Sequence, residues 1–133
     1  MSYRDDFLAG SVPQSLDLTG DWTVKGLLGP VPVRFLGHTK QFRPLEGGVF
    51  EGNNRFLGRI RTGYYHASVG PSQLDPDLQV ININYDRPEN PSIMRGLTDE
   101  VRFIDEHTLL GRGVYKASAN AKPRVIFWFT VSR

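Results

Sequence analysis

Residues 18–26 read LTGDWTVKG. From Asp21 onward, apolar Trp22 and Val24 alternate with polar Asp21, Thr23 and Lys25, while Gly20 punctuates the start. A period of two places Trp22 and Val24 on one face of a strand and the polar set on the other. The rest of the chain repeats this grammar. Fourteen glycines and nine prolines among 133 residues cut it into short alternating runs, the pattern of an all-β protein.

Reading outward from that strand gives Asp21 to Leu28, Val31 to Leu36, His38 to Arg43, Gly48 to Glu51, Phe56 to Val69, Leu78 to Tyr85, Ile93 to Ile104, Leu109 to Ser118 and Arg124 to Ser132. The breaks between them, including PLEGG, GNN, GPSQLDPD and DRPENPS, are turn chemistry. A tight hairpin is expected over Asp105 to His107. Ser2 is placed to cap one or two helical turns through Phe7 and Leu8, ending at Gly10, before an extended lead-in to residue 19. About nine strands with apolar faces must hide their edges, and closing the sheet does so. The expectation is one domain over residues 1–133, an antiparallel up-and-down β-barrel of about eight to ten strands.

Composition excludes several classes of function. Sixteen Lys and Arg against fourteen Asp and Glu leave a net charge of only +2, with no basic run, so nucleic acid is not the expected partner. The stretch RFLGRIRTGYYH interleaves aromatic and basic residues as ordinary strand alternation does. With no cysteine, disulfides and thiolate metal sites are excluded and a cytoplasmic location is expected. MSYRDDFLAG does not read as a secretory signal, and no apolar run reaches the roughly 20 residues of a membrane span. The histidines at 38, 66 and 107 lack metal-ligand spacing, so neither a metal nor a cofactor is expected.

The Gly20-Asp21-Trp22 opening resembles that of the calycin superfamily, which includes lipocalins and fatty-acid-binding proteins. The resemblance implies that Trp22 closes one end of the barrel beneath an arginine from the last strand, for which Arg133 and Arg124 both qualify. It also implies a small apolar or aromatic guest in the interior. The chain departs from the fatty-acid-binding branch, because GLLGPVPVRF leaves no room for a helical pair after the first strand.

Alternation selects the inward residues. Arg59 and Arg61 belong in solvent, which turns Ile60, Thr62, Tyr64 and His66 inward. By the same rule Ile81, Ile83 and Tyr85, then Leu97, Asp99, Val101 and Phe103, and then Tyr115, face the interior. The expected ligand-binding set is therefore Tyr64, His66, Tyr85, Asp99, Tyr115, Ile60, Ile83 and Phe103. If the protein is an enzyme, His66 paired with Asp99, with Tyr64 or Tyr115 alongside, would supply acid and base without a cofactor, as in an isomerase, cyclase or lyase. A third possibility is a homodimeric interaction module. His38 and His107 are read as corner and turn residues.

Overall fold

The computed structural model describes residues 2–28, 38–56 and 60–133. Eight antiparallel strands close into an up-and-down barrel in which spatial order is chain order, and the last strand pairs with the first. They are β1 (Gly20–Leu28), β2 (Thr39–Pro44), β3 (Phe50–Phe56), β4 (Ile60–Pro71), β5 (Gln79–Asn84), β6 (Leu97–Asp105), β7 (Thr108–Tyr115) and β8 (Arg124–Ser132). The expected strand Val31 to Leu36 lies outside the described residues.

Several boundaries differ from the sequence reading: Phe56 ends β3 instead of opening β4, β7 stops at Tyr115 short of Ser118, and two breaks are misplaced. GNN is not a break: Gly52, Asn53 and Asn54 lie within β3, whose preceding turn is Glu46–Gly48. The start of the expected strand Ile93 to Ile104 is instead a single 3-10 turn over Ser92–Gly96, so β6 begins at Leu97. The hairpin between β6 and β7 turns over Glu106 and His107, where the Asp105 side chain accepts the His107 N–H at 2.8 Å.

The interior runs from Trp22, Phe42 and Phe103 at one end through Tyr65, Ile81, Ile83, Val101 and Leu109 to Tyr85 and Phe129. Large rings on β8 need room across the sheet. Phe129 and Phe127 lie opposite Gly111 and Gly113, where an added Cβ would come within 2.4 and 2.3 Å of the rings. Trp22 is fully buried, and its indole N–H donates to the Leu18 carbonyl at 2.8 Å. Of the two arginines left open by the sequence, Arg133 covers it, with its guanidinium carbon 4.2 Å from the ring centroid. Arg133 also donates to the Thr19 and Asp17 carbonyls at 2.7 and 2.9 Å, while Arg124 pairs with Tyr115 in the sheet. Gly20 enters β1 at φ 117°, a conformation open to glycine and strained for other residues.

Helix α1 (Tyr3–Ala9) is capped reciprocally by Ser2 and Asp5, and lies against the outside of the barrel. Phe7 is buried there with Val80 and Leu110, and Trp128 packs edge-on at 5.8 Å. The outward positions of β6 and β7 are consequently buried too. Glu100 and Arg112, both fully buried, pair at 3.0 Å; Arg112 also reaches Asp75 at 2.9 Å and lies over the Phe7 ring. Arg102 donates to the carbonyls of Phe7 and Leu8, satisfying the end of the helix.

Candidate functional site

The face of β4 changes along its length, and this corrects the expected site. Asn54 pairs with Thr62 but Gly52 pairs with Tyr65, so β4 carries one extra residue at this point. Gly63 absorbs it at φ 60°. Such a bulge shifts the alternation by one residue. Beyond it Tyr65 and Ala67 are buried, and Tyr64 and His66 are turned to the outside. His66 meets Arg87 there, with Nη1 2.9 Å from Nε2, and forms no pair with Asp99. The Tyr64 backbone is held by the Asn90 side chain. Ile60, at the start of β4, is exposed. Ile83 is buried core, and Phe103 packs on Trp22 at the closed end. Tyr115 uses its hydroxyl to hold the Ile93 carbonyl at 2.9 Å. Of the expected set, Tyr85 and Asp99 line a cavity.

That cavity, of about 180 Å³, lies toward the end of the barrel away from Trp22. Its apolar wall is Val24, Phe56, Met94, Leu97, Phe127 and Phe129, and its polar wall is His38, Lys40, Asn54, Thr62, Tyr85 and Asp99. Lys40 is the centre of the polar wall. It sits on β2 opposite Trp22 of β1 and Asn54 of β3, and only 2% of its surface is exposed. Three acceptors surround its Nζ: Asn54 Oδ1 at 2.8 Å, the Tyr85 hydroxyl oxygen, and Asp99 Oδ2 at 3.3 Å. The rings of Tyr65, Tyr85 and Phe129 lie 5.1 to 5.9 Å from the same nitrogen, a favourable setting for a cation.

The donors and acceptors fix the protonation states. An ammonium has three N–H donors and no lone pair, which matches three acceptors. Tyr85 donates its proton to Asp99 Oδ2 at 2.9 Å, so its oxygen is free to accept from Lys40 and from Asn54 Nδ2. Asp99 Oδ2 thus accepts from Tyr85 and lies 3.3 Å from the Lys40 ammonium, the setting of a carboxylate. Burial lowers the Lys40 pKa and raises that of Asp99, and each charge opposes that drift in the other. Burial, followed by the Asp99 charge, raises Tyr85 well above the usual phenol range and keeps its proton in place.

Asn54 carries the order outward. Its Oδ1 faces Lys40, so its Nδ2 is the atom that donates to Tyr85 and to the Gly63 carbonyl at 3.2 Å. A Cβ on Gly63 would lie 2.6 Å from that Nδ2, so the bulge glycine also makes room for the amide. His38 Nε2 lies 2.7 Å from Asn54 Oδ1 and must be the protonated nitrogen, since Oδ1 can only accept. Burial, and secondly the Lys40 charge, lower the His38 pKa to about 4, against the Asn54 contact. Near neutrality Nδ1 therefore keeps a lone pair. The ring stacks on Phe56 at 4.3 Å.

The sequence reading overlooked Lys40 and Asn54 and placed His38 in a corner. Their signal is alternation: His38, Lys40 and Phe42 share one face, as do Phe50, Gly52 and Asn54. Among the described residues no cluster of His, Asp and Glu is arranged to hold a metal ion, and no helix is long and apolar enough to cross a membrane. Compared with protein-family models, curated proteins and solved structures, the chain matches none.

Proposed function

We propose that the protein binds a small, largely apolar organic molecule in the barrel cavity away from Trp22, in the manner of the calycins that its Gly20-Asp21-Trp22 opening resembles. The cavity carries this reading: one wall is aliphatic and aromatic, and the other holds a few ordered polar groups, the usual make-up of a small-molecule site. A narrow barrel can enclose one such guest. Titration with an apolar fluorophore small enough for about 180 Å³ should saturate at one site per chain. Amide shifts should concentrate at Val24, Leu97 and Phe127 and leave the Trp22 end unchanged. Failure to saturate, or shifts confined to the outer wall, would remove the reading.

A second reading has a specific observation behind it. Four ionisable side chains, His38, Lys40, Tyr85 and Asp99, border one apolar cavity, as acid–base catalysis without a cofactor requires. The first reading is preferred because Lys40, Tyr85 and Asp99 already engage one another.

A further inference from the structure

A buried lysine in a ligand cavity suggests an anionic guest, yet the bonding around Lys40 points elsewhere. Lys40 donates to Asn54 and Tyr85 and is ion-paired with Asp99 at 3.3 Å. The Tyr85 proton is committed to Asp99, and both Asn54 Nδ2 hydrogens are committed to Tyr85 and Gly63. Two buried polar atoms of the cavity residues have no hydrogen-bond partner among the described residues, Asp99 Oδ1 and His38 Nδ1. Asp99 is itself only 2% exposed. Both atoms are acceptors in the protonation states that the network dictates. Leaving a buried acceptor without a donor is costly, and an ionised one more so.

We propose that the guest is a neutral molecule whose polar end donates a hydrogen bond, such as a phenol or an alcohol, and that its single O–H is shared between the two open acceptors, Asp99 Oδ1 and His38 Nδ1. The rest of the guest lies against Phe56, Leu97, Phe127 and Phe129. A carboxylate is rejected: it brings only acceptors to a pair of acceptors, one of them charged. A second ammonium is disfavoured by the Lys40 charge, and an ether or hydrocarbon leaves both acceptors unanswered. This rests on the cavity being a ligand site, and deepens that reading by naming the chemistry of the guest.

The test is a matched series, 4-ethylphenol, 4-ethylanisole, ethylbenzene and 4-ethylbenzoate, titrated by calorimetry or amide shifts into the intact protein. The phenol should bind about tenfold or more tighter than the anisole and ethylbenzene, the ratio expected for one hydrogen bond to a charged acceptor. The benzoate should not bind measurably. In His38→Phe, which keeps a ring beside Phe56, the phenol's advantage should shrink while ethylbenzene binding is retained. Asp99→Asn makes the sharper test if it folds. Lys40 and Tyr85 need the amide oxygen, so the new NH₂ would face the cavity and the anisole should gain on the phenol. Equal binding of phenol and ethylbenzene, or tightest binding by the benzoate, would overturn the donor assignment and leave the ligand reading standing. The assignment also falls if none of the four binds while the fluorophore does. If the fluorophore fails too, both readings fall.

Discussion

At His38, the bonding of one ring nitrogen decides the chemistry of the other. Lys40 orients the Asn54 amide, Asn54 selects the Nε2–H tautomer, and burial resists a second proton. The imidazole should therefore stay neutral from pH 8 down to pH 5 in an NMR titration and charge only near about 4. Titration near the ordinary 6.5 would contradict the network. The stability consequence has a definite sign. Between pH 6.5 and about 4 the unfolded chain holds the proton and the folded chain does not, so this group lowers stability as pH falls through that window. The contribution should be absent from His38→Phe. Such a role was hard to read from the letters alone. A histidine after Gly37 looks like a corner, and a lysine at an inward position looks like an error of register until its partners Asn54, Tyr85 and Asp99 are known.

The elements divide into those that alternation describes and those that it cannot. β5, β7 and β6 as far as Phe103 keep alternation, so the inward facing of Ile83, Tyr85, Asp99 and Phe103 follows directly from the order of residues. β4 does not, because a single left-handed glycine reverses its facing halfway. Gly63 was visible, but its conformation depends on the Asn54 side chain of the neighbouring strand, a contact no one-dimensional pattern contains. Helix α1 poses the same difficulty. Its Ser2 cap was legible, whereas its docking on the outer wall, which buries Glu100 and Arg112, was not. This docking gives α1 a measurable role. Phe7→Ala should destabilise the protein by about 3 to 5 kcal/mol in urea unfolding, the range for truncating a buried phenylalanine. A loss below about 1 kcal/mol would mean that the helix lies only loosely on the barrel.

Over the described residues, the two ends of the barrel differ: Trp22 fills one, and the cavity lies toward the other. Trp22 is covered by Arg133, and the carbonyls around it are answered by Arg133 and by its own indole N–H. Trp22→Ala should cost about 3 to 5 kcal/mol. Arg133→Ala should cost less, because a partly solvated cation–π contact contributes only about 0.5 to 2 kcal/mol. Thermal unfolding of the two variants checks that order, and equal losses would contradict it. The same lock has a bearing on time. Every other strand pairing joins neighbours in the chain, but β1 and β8 meet across roughly a hundred residues, so this seam closes the longest loop in the molecule. Such a pairing forms late, after the local hairpins have made its ends neighbours. Trp22 and Arg133 sit on the two sides of that seam, and their truncation is expected to raise the unfolding rate more than it lowers the folding rate in stopped-flow measurements. They slow the opening of the finished barrel more than they hasten its assembly, which makes the pair a determinant of how long the folded state lasts.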